Sequence, residues 1–365
     1  MNGKERMMAA VRREKPDRVP VTIHQWQPFH LKYFMNGMPE LEAFRTCGLD
    51  AAVTYYATDT PESENWRVSA VTVQRSGYVE TQYTITTPEG VLTTAEGSNE
   101  MTTWVTDHLI KKKEDIYLLK KYQPIPVLRK KEAQAAYDAL GGDGILRTFL
   151  CGKQGGCRQD ACELYGAQNL ILETFDDPDW VHEFLEILLD IRMKYIEQSL
   201  TGAPFDLVET GGGAASNTLI SPAIHEEFCL PYDQKIHDAL HSLGFPAVYH
   251  TCGGMSRITH LIRQNHCDAS ETLSPKGIGG DIGDDETARQ VWRDLHPYVC
   301  LIGGMDQFNI LQRGTKEEIE REVQRLFSIY GCDGGYIMSA CDHFFHVPQE
   351  NLKYFAQAAK SCRYE

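Results

Sequence analysis

The sequence predicts an α/β protein, a (β/α)8 barrel with a β-rich insertion after its second strand. Two patterns carry this expectation. Eight short apolar, β-branched runs recur along the chain, and longer segments with apolar residues at helical spacing separate the later ones. An open doubly wound sheet is the alternative; the strand count and the lack of a dinucleotide fingerprint favour the barrel.

The eight runs are Val19–Ile23, Ala51–Tyr55, Gly144–Phe149, Phe205–Val208, Pro246–Tyr249, Cys267–Ser270, Tyr298–Ile302 and Gly335–Met338. Helical spacing is clearest in Pro222–Leu243, Glu286–Leu295 and Lys316–Tyr330, with Ser221 and Thr315 as N-caps. Pro348–Ser361 is the closing helix. Trp180–Leu200 is a long helix whose first turn is acidic, beginning near Asp177-Pro178-Asp179. Period-two segments in Trp66–Trp104, with Pro88-Glu89-Gly90 as a turn, predict the inserted hairpin or meander. Nothing resembles a linker, so residues 1–365 are expected to form one domain carrying the insertion at about 66–104.

Composition narrows the function. Fifty-one acids against 36 Lys and Arg give a net charge of −15. That balance disfavours nucleic acid and anionic membrane as partners. No run approaches the roughly 20 apolar residues of a membrane span, and the charged start Met1–Arg6 lacks the core of a signal peptide. The expected compartment is the cytoplasm. There the 11 cysteines are free thiols and metal ligands rather than a disulfide framework.

The chemistry is concentrated just past the predicted strands. His250-Thr251-Cys252 closes the fifth run, and residues i and i+2 of a strand face the same side. Cys341 follows the eighth run and Glu209 ends the fourth. Barrel strands aim their carboxyl ends at one mouth, so four candidate ligands converge there. An imidazole and two thiolates suit zinc, with Glu209 or water completing the set. The same residues also have bland readings, as buried thiols and a carboxylate bonded to the Gly211–Gly213 turn. His24, Trp26 and Phe29 follow the first run as an aromatic rim. Glu271, Asp306 and His343 follow the sixth, seventh and eighth. Of these, His24, Trp26, Glu271, Asp306 and His343 are the candidate substrate contacts. Gly277–Gly283 reads as a flexible loop over the mouth.

With these residues placed, the chain resembles the uroporphyrinogen decarboxylase superfamily. The carrying segments are Leu219–Pro222 with Leu230–Tyr232, Val248–Gly254, Leu301–Asp306, Gly335–Cys341 and Pro348–Leu352. The resemblance implies a distorted (β/α)8 barrel. Within the superfamily, the cobalamin-dependent methyltransferases carry a His-x-Cys pair and a late Cys as zinc ligands, matching His250, Cys252 and Cys341. It thus implies Zn2+, and a methyl group moving between a small molecule and the cobalt of a corrinoid. The decarboxylases instead carry arginine near the N-terminus for substrate carboxylates, and Val21–Phe29 has none. No Asp-x-His-x-x-Gly segment is present to supply a lower cobalt ligand, so the corrinoid is expected on a separate partner protein. The methyl donor or acceptor (methoxylated aromatic, methanol, methylamine or thiol) and the direction of transfer stay open, as does assembly into a homo-oligomer. A metal-free decarboxylase and a non-enzymatic zinc-binding scaffold are the competing readings.

Overall fold

A computed structural model describes residues 1–364. Eight parallel strands form the central sheet: β1 (Val21–Thr22), β2 (Ala51–Thr54), β3 (Gly144–Phe149), β4 (Leu207–Gly211), β5 (Ala247–His250), β6 (Ala269–Thr272), β7 (Cys300–Met305) and β8 (Tyr336–Ala340). Their ladder runs β1-β8-β7-β6-β5-β4-β3-β2. This is the expected (β/α)8 barrel, with helices packed outside it.

The barrel closes between β1 and β2 without a ladder. The Asp50 N–H donates to Val21 O at 2.8 Å, and Val21 N–H donates to Asp50 Oδ2 at 3.0 Å. One carboxylate thus stands in for a backbone acceptor. Arg18 bonds both Asp50 oxygens at 2.9 Å, and Arg6 reaches Oδ1 at 2.8 Å. All three side chains are buried.

Strands β4 to β8 reach further than their apolar runs. β4 continues through Glu209 and Thr210, β5 through His250, and β6 through Glu271. A hydrophobicity pattern stops where functional polar residues begin; the backbone ladder does not. The helix expected over Pro222–Leu243 is two helices, Pro222–Phe228 and Leu230–Ser242. Pro231 cannot donate its backbone nitrogen, so the first helix ends and a second begins. Ser221 caps the first through Ile224 N–H, and Thr315 forms a capping box with Glu318.

The insertion is a four-stranded antiparallel sheet, Arg67–Arg75, Tyr78–Thr87, Gly90–Ser98 and Thr103–Asp107. Its first turn uses Gly77 at φ +83°, and Thr87 Oγ1 bridges Gly90 in the second. The loop around Gly277–Gly283 is tied down rather than loose. Asp281 accepts from Asn217 Nδ2 at 2.9 Å, Met255 N–H at 3.0 Å and Ser256 Oγ at 2.6 Å.

Candidate metal and active site

The floor of the mouth is built by strand register. His250 on β5 lies beside Gly211 of β4 and Glu271 of β6; Glu209 lies two residues before Gly211. Arg147 on β3 pairs with Leu207, two residues below Glu209. Alternation turns Arg147, Glu209, His250 and Glu271 toward one interior, and His24 joins them from beyond β1. All five are at most 3% exposed.

Charges there are paired rather than free. One Arg147 nitrogen donates to Glu209 Oε2 at 2.6 Å and to Glu271 Oε1 at 2.7 Å. Gln154 Nε2 donates to Glu209 Oε1 at 2.5 Å. His24 Nε2 lies 3.3 Å from Glu209 Oε2 and 3.5 Å from Glu271 Oε1. Burial alone would strip the proton from His24; the two carboxylates overcome it and raise its pKa to about 9. Burial pushes both glutamates the other way, and Arg147 with His24 outweighs it, so both are held below the usual carboxylate range.

Above this floor His250 presents a bare nitrogen. Its Nδ1 lies 3.1 Å from Glu271 Oε1, an arrangement that fixes the proton on Nδ1. Its Nε2 is buried and has no hydrogen-bond partner. A His250 ring nitrogen, the Cys252 sulfur and an Asp342 carboxylate oxygen lie within 4.8 Å of one another. A carboxylate–histidine pair with the second nitrogen free is the arrangement that metal-binding histidines use. An orphaned imidazole nitrogen, a thiol and a carboxylate in such proximity fit a zinc ion chemically. Burial pushes Asp342 up, but His250, His24 and His343 outweigh it and hold it ionised.

The sequence-derived candidates separate. His250 and Cys252 stand together. Cys341 does not join them: its sulfur is buried, 3.8 Å from the Leu273 carbonyl oxygen, and belongs to no ligand cluster among the described residues. Its neighbour Asp342 takes the place expected of it: β8 ends at Ala340, and the chain past it no longer keeps the strand's alternation. Glu209 is close to His24, His250 and Glu271, with its oxygens engaged by Arg147, Gln154 and His24.

The substrate candidates have structural work. Trp26 is 3% exposed and packs its ring on His30, Phe44 and Phe344, so it is core rather than rim. Asp306 caps the helical turn after β7, accepting from Phe308 and Asn309 N–H. Glu271 and His24 belong to the floor. His343, partly exposed, contacts Gln25 Oε1 through Nε2 at 3.2 Å. Reading the sequence missed Arg147, Gln154 and Asp342. An arginine inside the otherwise apolar Gly144–Phe149 run was the available signal for the first; nothing marked the other two.

Comparison with known proteins agrees with this architecture. The family model described as uroporphyrinogen decarboxylase (URO-D) matches residues 98–362. The methylcobamide:CoM methyltransferase MtbA of Methanosarcina mazei is 24% identical over 190 residues, 52% of this chain and 52% of that protein. The protein of the same name from Methanosarcina acetivorans is 23% identical over 190 residues, again 52% of each chain. A uroporphyrinogen decarboxylase from Thermus thermophilus is 25% identical over 252 residues, 67% of this chain and 62% of that one. The matched region therefore spans about half the length of the two methyltransferases. A solved methyltransferase from Methanosarcina mazei superimposes with a TM-score of 0.66 at 15% identity, covering 99% of both chains, which bears on the fold. The match over most of the chain, on a barrel with its polar cluster at the strand ends, places this protein in the uroporphyrinogen decarboxylase family.

Proposed function

We propose that this chain is a zinc-dependent methyltransferase that moves a methyl group between a small molecule and the cobalt of a corrinoid carried by a separate protein. The observation that carries this reading is His250, held at Nδ1 by Glu271 and bare at Nε2, beside Cys252 and Asp342. The similarity to two methylcobamide:CoM methyltransferases supports it. His250 and Cys252 would hold the zinc, with Asp342 as third ligand. Cys341, one residue earlier, is the alternative third ligand. Bound zinc supplies a Lewis acid for a substrate oxygen or nitrogen, or lowers the pKa of a substrate thiol.

The chain's own groups then have definite tasks. Glu271 keeps the His250 proton on Nδ1 and the ring orientation fixed. Arg147 keeps Glu271 and Glu209 ionised and in place without meeting substrate. Two carboxylates and a guanidinium already paired add little net charge to the floor. A heteroatom gaining the methyl must lose its proton, and one losing the methyl must gain it. Asp342 and His343, both partly exposed, stand where such a proton can reach solvent.

Porphyrin decarboxylation fits less well. A substrate with many carboxylates needs cationic partners, and the guanidinium at this floor is buried and consumed by Glu209 and Glu271. Visible spectroscopy tests the proposal. Cobalamin, offered as Co(I) and as methyl-Co(III), should change spectrum with one member of a panel of methoxylated aromatics, methanol, methylamines and thiols. That change should vanish in Cys252→Ser. A zinc-free protein of full activity would overturn the reading. A closed scaffold would instead unfold on loss of Cys252.

A further inference from the structure

A second ligand cluster adjoins the first and shares Asp342 with it. A ring nitrogen of His24, a carboxylate oxygen of Asp342 and a ring nitrogen of His343 lie within 4.8 Å of one another. His24 Nε2 is committed to Glu209 and Glu271. Its Nδ1 is the nitrogen left over, and it is buried without a hydrogen-bond partner. His343 Nε2 faces Gln25 Oε1 at 3.2 Å; with the amide oxygen as acceptor, Nε2 carries the proton. The lone pair of His343 then sits on Nδ1, 3.5 Å from Asp342 Oδ1.

Metal-binding atoms of three residues therefore converge, although Asp342 Oδ1 also accepts the His343 backbone N–H at 2.7 Å. The buried, unpartnered His24 Nδ1 facing them calls for a cation or a proton as its partner. His24 repeats the arrangement of His250: one ring nitrogen on the same buried carboxylate pair, the other bare. Asp342 and His343 are both partly exposed, which leaves an entry path from the mouth.

We infer that His24, Asp342 and His343 form a second metal site, for a divalent first-row ion that prefers nitrogen and oxygen ligands. Two imidazoles and a carboxylate suit such ions with coordination positions left open. The site lacks sulfur, which distinguishes it from the one at His250 and Cys252. It stands independently of methyl transfer, and it holds whether Asp342 or Cys341 completes the first site.

Metal stoichiometry tests it. The full chain, freed of metal, is dialysed against Co(II) or Zn(II) and its content measured by elemental analysis. Wild type should hold two equivalents. His343→Ala should hold one and keep the near-ultraviolet sulfur-to-cobalt absorption of the Cys252 site. Cys252→Ser should also hold one, without that absorption. His343→Gln serves as a second variant, with circular dichroism to check folding. Wild type holding one equivalent or fewer overturns the inference and leaves a proton between His24 and Asp342. Undiminished binding by folded His343→Ala or His343→Gln overturns it equally. Loss of methyl transfer with two ions retained would speak against the proposed function and not against this site.

Discussion

Replacing Glu271 by glutamine keeps the side-chain volume and removes one charge. Three groups lean on Glu271 Oε1: Arg147 at 2.7 Å, His250 Nδ1 at 3.1 Å and His24 Nε2 at 3.5 Å. Arg147 and His24 keep Glu209, at 2.6 and 3.3 Å, so neither is left without an anion. The stability cost should therefore fall short of the roughly 3–5 kcal/mol for breaking a buried ion pair outright. His250 has no such reserve. Glu209 Oε1 lies 3.5 Å from its Nδ1 and already accepts from Gln154. Without the carboxylate, imidazole basicity and ring orientation both suffer, and loss of such a partner typically weakens metal binding by about 10–100-fold. That is about 1.4–2.7 kcal/mol of binding free energy. Competition between the zinc-loaded protein and a chromogenic chelator measures it, with thermal unfolding as the fold control. Unchanged zinc affinity in a folded Glu271→Gln protein would refute the assignment of His250 as a ligand oriented by Glu271.

Asp50→Asn should cost on the order of 3 kcal/mol in urea unfolding, because Arg18 loses its carboxylate partner at the β1–β2 closure while Arg6 keeps Asp17; a cost near zero would mean the closure is not ionic. Asp342→Ala should lower zinc affinity more than Cys341→Ala, since Asp342 is the residue placed with His250 and Cys252; the reverse order would make Cys341 the ligand. His30, His225 and His237 are held neutral by burial, with pKa values lowered to about 4. The unfolded chain takes up those protons first, so stability should fall as pH drops from the unfolded value of 6.5 toward 4. Each adds up to about 1.4 kcal/mol per pH unit. Unfolding midpoints flat over that window would contradict it.

The barrel was legible because each strand core is an apolar run, and buried parallel strands need little else. Gly144–Phe149 matches its expected bounds exactly in number, while β4 to β6 overran theirs into Glu209, His250 and Glu271. Polar residues at strand ends break a hydrophobicity pattern without breaking the ladder. His250 and Cys252 were legible through their spacing of two. Cys341 was assigned by convergence of strand ends, which does not specify the direction of each side chain. Register would put Cys341 on the face of Glu271, because Glu271 pairs with Ile302 and Ile302 with Ile337; the strand ends at Ala340, and past it the chain turns Cys341 toward Leu273 and Asp342 toward His250. Arg147 escaped notice because its partners Glu209 and Glu271 are 62 and 124 residues away. Trp26 looked like a rim residue and is core, since His30, Phe44 and Phe344 close over it from three other segments.

Zinc K-edge absorption spectroscopy on protein carrying one equivalent of zinc measures the ligand set directly. A sulfur neighbour at about 2.3 Å, lost in Cys252→Ser with nitrogen and oxygen neighbours retained, is the predicted result. Failure to bind zinc, or a sulfur shell indifferent to Cys252→Ser, would contradict a metal centre at His250 and Cys252.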